Sequence, residues 1–279
     1  MSDACGSCKE KGSCDGSSCP SKKQTNELTR IGKVIAVMSG KGGVGKSSVT
    51  SLLAIYLKDM GYRVGIMDAD ITGPSIPKVF GLKKKALASE LGLFPVPTVK
   101  DIQVMSLNLL VENEDDPVIW RGPMIAGMVE KFWTDVIWGE LDYLLVDLPP
   151  GTGDVPLTVL QSIPVDGIVI VSSPQDLVKM IVKKAVKMTE AMKAPVLGLI
   201  ENMSSIICPE CRKEFKIFGK KSNSEEAAKE MGIDLLGKIP LDPEFVELSD
   251  EGRVEIYTDL HEDYKYIVEK IIAKLESAK

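Results

Sequence analysis

Histidine is nearly absent: of 279 residues only His261 carries an imidazole. That excludes multi-histidine metal sites, and any Ser-His-Asp or Cys-His mechanism would rest on His261 alone. An excess of positive charge is missing too, with 34 Lys and Arg against 40 Asp and Glu and a formal net charge of -6. A general nucleic-acid binder needs a basic footprint, so that class is not expected. No apolar run approaches the roughly 18 residues of a membrane-spanning helix. The first residues are Ser, Gly, Lys and Cys rather than the apolar stretch of a secretion signal. A cytoplasmic protein is therefore expected, with no membrane and no nucleic acid among its partners.

What is present is the profile of a globular protein, 44% apolar and 27% charged, with chain enough to bury a full core. Six Cys stand against the single His. In a reducing compartment paired thiols are more often metal ligands or redox centres than disulfides. Cys5, Cys8, Cys14 and Cys19 fall in residues 1–24, which hold nothing apolar that could anchor a core. This stretch reads as a flexible tail, ordered only if something binds its thiols.

From Ile31 onward apolar strands alternate with amphipathic helices, which predicts an α/β fold with a mostly parallel sheet and helices on both faces. Strands are expected at Val34 to Met38, Val64 to Met67, Leu144 to Val146, Gly167 to Val171 and Val196 to Ile200. Val49, Leu52, Leu53, Tyr56, Leu57 and Met60 mark one face of a helix that Gly61 ends. A second helix is expected from Asp176 to Met192, and Lys83 to Lys85 reads as a solvated loop. From His261 to Lys279, apolar residues at helical spacing share the segment with both Glu/Asp and Lys, the pattern of a packed surface helix rather than a membrane anchor.

Gly40-Lys41-Gly42-Gly43-Val44-Gly45-Lys46-Ser47 fits G-x-x-x-x-G-K-[ST] and lies between the first strand and the first helix, the context the motif requires. Its glycines let successive N–H groups, continuing to Ser48, converge on phosphate oxygens, and the helix N-terminus adds partial positive charge. Lys46 is expected on the β and γ phosphates and the Ser47 hydroxyl on Mg2+. Asp147 ends a buried strand across from this loop, which suits holding Mg2+ through water. Asp68 and Asp70 follow the second strand at the carboxyl edge, where α/β sheets place ligands.

Lys41 is an extra cation inside the loop, and with it KGGVGKS resembles the deviant Walker A loop of the MinD, ParA and nitrogenase-iron-protein class, a SIMIBI-type P-loop NTPase. The resemblance implies ATP as ligand, a homodimer closed around nucleotide, and Lys41 touching the partner subunit's phosphates as a second cation supplied in trans. It further implies that Asp70 orients the attacking water, that Asp68 stands near the Mg2+ shell, and that Asn202 contacts the base. Read without it, Asn202 is a turn residue after the strand ending at Ile200, although its amide offers the donor and acceptor that an adenine edge needs.

Cys208-Pro209-Glu210-Cys211 lies in an apparent short hairpin within residues 204–218 of an ATPase domain expected over 30–279. Two thiolates cannot complete a tetrahedral zinc or cubane cluster site, whereas a two-fold dimer supplies four. Together with DADITGPSIP from Asp68, Trp120-Arg121-Gly122-Pro123, WGELDY from Trp138, VDLPPGTGD from Val146 and Glu201-Asn202-Met203-Ser204, this motif resembles the Mrp family of iron-sulfur cluster carrier ATPases. That family implies a 4Fe-4S cluster bridging two subunits through the C-x-x-C of each and handed to apo iron-sulfur proteins.

Cys5, Cys8 and Cys14 match the C-x2-C-x5-C part of the tail motif in the eukaryotic-type branch, with Cys19 standing in for a ligand that branch carries upstream. A second 4Fe-4S site is expected there, against zinc or an unliganded tail. Two other functions share the loop: a ParA- or MinD-like positioning ATPase, which leaves six cysteines unexplained, and an ATP-dependent electron donor, whose class draws its bridging ligands from two well-separated cysteines.

Overall fold

The computed structural model describes residues 22–71, 73, 75–111, 122–174, 178–208, 211, 213–218 and 224–277. In chain order the elements are β1 (Arg30–Ser39), α1 (Lys46–Asp59), β2 (Val64–Asp68), α2 (Ile76–Val79), β3 (Leu87–Ser89), β4 (Gly92–Phe94), β5 (Val96–Pro97), β6 (Gln103–Met105) and α3 (Gly122–Thr134). They continue with β7 (Glu140–Asp147), α4 (Asp154–Ser162), β8 (Gly167–Ser172), α5 (Val178–Ala191), β9 (Val196–Ile207), β10 (Glu214–Phe215) and α6 (Ser224–Met231). The last are β11 (Leu235–Leu241), α7 (Pro243–Asp250), α8 (Tyr257–Leu260) and α9 (Lys265–Ser277).

β1 sits centrally because it is apolar on both faces. Ile35 and Val37 join the core under α1 and α9, while Val34, Ala36 and Met38 join the core under α3, α4, α5 and α6. This alternation is what a strand covered by helices on both sides requires. The sheet runs β9-β8-β1-β7-β2-β6-β5, with β11 also paired to β9; β1, β2, β6, β7, β8, β9 and β11 are mutually parallel, and β5 and β10 are antiparallel additions. All parallel strands therefore end on one edge, where β1 opens into residues 40–45 and β2 and β7 end on Asp68 and Asp147, which are register partners.

The expected strands and helices are present, with shifted limits. Gly61 ends α1 at φ 91°, its N–H donating to Lys58 O and the next N–H to Leu57 O. The helix expected from Asp176 is described from Val178. β9 is longer than the apolar run suggests, because it continues past Ile200 through Glu201 and Asn202 to Ile207, paired along that stretch with β11. The C-terminal helix buries Ile267, Val268, Ile271, Ile272 and Leu275 in the core, as a packed helix should. At the other end, Lys23 belongs to the fold: its N–H donates to Ser162 O, its carbonyl accepts from the Trp133 indole at 2.9 Å, and its ammonium pairs with Glu130. Residues 1–21 lie outside the described residues. Among the described residues no helix is long and apolar enough to cross a membrane.

Two features tie the C-terminal segment back to the rest. Glu255, buried, accepts from Thr98 Oγ1 at 2.6 Å, Lys100 N at 2.9 Å and Val99 N at 3.1 Å. Gly81 and Gly252 meet backbone to backbone after α2 and α7, both at positive φ, and a Cβ on Gly252 would stand 2.6 Å from Gly81 Cα. Gly252→Ala is expected to lower the unfolding free energy in urea by about 2–5 kcal/mol, the sum of left-handed strain and overpacking. Gly61→Ala, at φ 91° in open space, should lose only the strain of about 1–2 kcal/mol.

Candidate functional site

Residues 40–45 turn sharply from β1 into α1, with Gly43 at φ 74° and Gly45 at φ 75° as the N-cap of α1. A side chain at either position would be strained, which is why the loop needs glycine there. Backbone bonds fix its surroundings: Leu148 N donates to Val37 O, Gly151 N to Ser39 O and Ala69 N to Asp147 O. The resulting cleft of about 510 Å³, part of it open to solvent, is walled by the loop from Gly42 to Ser48 and by Asp70, Ser75 and Pro150. Gly40 leads into the loop beside it, and Lys41, half-buried, accepts at its carbonyl from Ser39 Oγ at 3.0 Å.

Inside the cleft Lys46 and Asp147 form a buried ion pair at 2.8 Å, and Asp70 Oδ2 lies 3.6 Å from the same ammonium. The Asp147 carboxylate also accepts from Ser47 Oγ at 2.5 Å and Thr50 Oγ1 at 2.7 Å, so the first turns of α1 are pinned to the end of β7. Asp68 is set behind this group. It accepts from Ser106 Oγ at 2.9 Å and from the Asp70 N–H at 3.2 Å, and it does not line the cleft. Burial, reinforced by the neighbouring Asp147 charge, pushes its carboxyl well above the usual carboxylate range. Asp70 is therefore the carboxylate on the cleft wall, and Asp68 stands behind it.

A second cleft of about 490 Å³, also partly open, adjoins the first across Ser48 and is walled by Val49, Leu52, Asn202, Met203, Ile239 and Phe245 among others. It is mostly apolar with a few polar groups, the make-up of a site for a flat heteroaromatic base. Asn202 is buried at its edge, inside β9 rather than in a turn, and its Nδ2 donates to Val44 O at 2.9 Å. The walls from β11 and α7 were not anticipated. Ile239-Pro240-Leu241-Asp242 does carry a signal: a proline ends an apolar run and Asp242 caps the next helix through Glu244 N at 2.9 Å, which marks the carboxyl edge of another strand.

At the far end of β9, Cys208 N donates to Lys213 O and β10 pairs Glu214 with Ile207 and Phe215 with Ile206, closing a short hairpin. Cys208 is half-buried and Cys211 exposed, and neither is in a disulfide. Among the described residues no group of three or more His, Cys, Asp or Glu could hold a metal ion, and the described part of this hairpin brings two thiols. Pro209 and Glu210, Trp120 and Arg121, and the tail thiols Cys5, Cys8, Cys14 and Cys19 lie outside the described residues.

Comparison with known proteins agrees with this geometry. A carrier named "Iron-sulfur cluster carrier protein" from Methanocaldococcus jannaschii is 44% identical, covering 95% of this chain and 99% of its own. Its namesake from Clostridium perfringens is 49% identical over 96% of this chain and 95% of its own. A nucleotide-binding protein of Archaeoglobus fulgidus, solved in complex with ADP, superposes with a TM-score of 0.72 at 50% identity, covering 81% of this chain and 89% of that one. The Pyrococcus furiosus cell division ATPase MinD, at 22% identity and a TM-score of 0.62 over 89% of this chain and all of its own, shares the fold.

Removing the central cation tests the phosphate cleft. Lys46→Ala should weaken ATP and ADP binding by about 10–100-fold, the worth of a hydrogen bond to a charged group, read by titration with a fluorescent nucleotide. Residues 30–276 match the family described as NUBPL iron-transfer P-loop NTPase, and with relatives this similar along nearly its whole length the chain belongs to that family.

Proposed function

We propose that this protein is an ATP-hydrolysing carrier that assembles a 4Fe-4S cluster between two copies of the chain and hands it to apo iron-sulfur proteins. The observation that carries the reading is the pair Cys208 and Cys211, half-buried and exposed and neither in a disulfide, on one hairpin of a P-loop fold. Two thiolates per chain make a full cubane ligand set only across a two-fold axis, where an isologous interface duplicates each ligand. Exposure at a hairpin tip favours handing over the cargo rather than retaining it. An electron donor would keep its cluster enclosed, and a positioning ATPase gives these thiols no work.

The nucleotide half follows from the clefts. The N–H groups of residues 40–48 receive the phosphates while Lys46 exchanges Asp147 for the β and γ phosphate oxygens, and the base enters the apolar cleft beside Asn202. That the Archaeoglobus relative was solved in complex with ADP supports nucleotide binding. The oxygen-only set of Ser47 and Asp147, with Asp68 behind, fits Mg2+, a hard cation that would neutralise phosphate charge. Asp70, on the cleft wall, accepts a hydrogen bond from the attacking water and aligns it with the γ-phosphorus. The new P–O bond then forms as the bond to the bridging oxygen of ADP breaks. Lys41 is assigned to the partner's phosphates, where a second cation stabilises the transition state.

Along the chain, residues 30–279 form the ATPase domain and the segment before Lys22 is a tail whose Cys5, Cys8, Cys14 and Cys19 take a second 4Fe-4S cluster. The compartment is the cytoplasm, and neither nucleic acid nor membrane is a partner.

Anaerobic reconstitution should give visible iron-sulfur absorption that moves to an apo-ferredoxin, and Cys208→Ala should remove the transferable part. Tightly held zinc at these thiols with no transfer would sink the carrier reading. Lys41→Ala should slow phosphate release by about a thousandfold, the usual worth of a catalytic cation supplied in trans, while leaving nucleotide binding by the isolated subunit intact.

A further inference from the structure

We propose that Asn202 is a positioning residue that couples occupancy of the phosphate loop to the Cys208–Cys211 hairpin through β9. The proposal rests on the reading of those cysteines as the cluster ligands and goes beyond a role for Asn202 at the base.

The first link is one peptide unit. Asn202 Nδ2 donates to Val44 O at 2.9 Å, and the other polar group of that same planar peptide is the N–H of Gly45, in the loop that receives phosphate. In a trans peptide the two groups point in opposite directions and turn together. A phosphate oxygen that draws the Gly45 N–H toward itself therefore sets the direction of the carbonyl that Asn202 holds. Loop and asparagine are also fitted sterically: a Cβ on Gly45 would stand 2.2 Å from Asn202 Nδ2.

The second link is the strand. Asn202 lies within β9, and the next residue, Met203, sits at φ 57°, a left-handed conformation inside a strand. For a residue with a side chain that costs about 1–2 kcal/mol and persists only where its surroundings impose it. The pairing of β9 with β11 slips at this level, between Ile239 and Leu241. The strand thus changes course immediately after the asparagine and then runs on to Ile207 and the Cys208 turn. Five residues, Met203 to Ile207, separate Asn202 from the first thiol along the chain. A strained joint next to a hydrogen bond that nucleotide can load is an element with two settings, and the hairpin lies at its far end.

The test uses the full chain, reconstituted with cluster, and follows iron extraction by a chelator with saturating ATP, saturating ADP and no nucleotide. In the wild type nucleotide should change the extraction rate by about fivefold or more, the low end of ordinary coupling between sites. Asn202→Ala and the isosteric Asn202→Asp, which sets a carboxylate oxygen against the Val44 carbonyl, should bring the ratio close to one at nucleotide concentrations where a fluorescent analogue shows the site filled. A wild-type ratio retained in either filled variant overturns the proposal, as does a wild type whose extraction rate ignores nucleotide. Should the variants fail to fold or to fill, hydrogen exchange in the wild type decides, since nucleotide must change the exchange of the backbone amides of residues 203–208 and unchanged exchange refutes the relay. If no cluster assembles on Cys208 and Cys211, the carrier reading fails, and the exchange measurement still judges the relay alone.

Discussion

A lysine ammonium and a carboxylate 2.8 Å apart in a nearly dry site join the phosphate loop to the middle of the sheet. Removing both charges from water is expensive, and their attraction offsets the cost only because Ser47 and Thr50 donate to the same carboxylate. The arrangement holds α1, β7 and the loop between them in register before any ligand arrives. It also raises the carboxyl of the buried Asp68 well above the usual carboxylate range, since a second charge at this depth would face Asp147 across one strand spacing. One cation here faces two carboxylates, Asp147 at 2.8 Å and Asp70 at 3.6 Å.

The sheet supplies this geometry almost without side-chain help. Parallel strands put their carboxyl ends on one edge, so Ser39, Asp68, Asp147 and Asn202 come together although they are scattered along the chain. The same edge bears the cysteine hairpin, because β9 outruns its neighbours. Asn202, bonded to the phosphate loop, and the turn that holds Cys208 therefore lie on and just beyond one strand, β9.

Much of this was readable from the amino acids. The phosphate loop is a local motif, and its glycines answer to a backbone shape that only they adopt freely. Central strands such as β1 and β8 declare themselves by unbroken apolar runs. What could not be read depends on distant neighbours. β9 runs through Glu201 and Asn202, which look like the end of a strand until β11 is placed beside them. The apolar cleft is built by Leu52 from α1, Met203 from β9 and Phe245 from α7, and no spacing rule links those positions. The buried state of Asp68 likewise follows from Ser106 and Asp147, each far away in sequence.

The contact between Gly81 and Gly252 bears on how this chain could ever be divided. Where two backbones touch with no side chain between them, the segment after α2 and the segment after α7 serve as each other's wall. Glu255, bonded to the turn at Thr98 to Lys100, fastens the same two regions a second time. Neither region is then a module that could be lent to another protein or lost from this one. Recombination that preserves the nucleotide site must carry the chain from the phosphate loop to α9 as one inherited block, and new functions can be added only at its ends or in its surface loops.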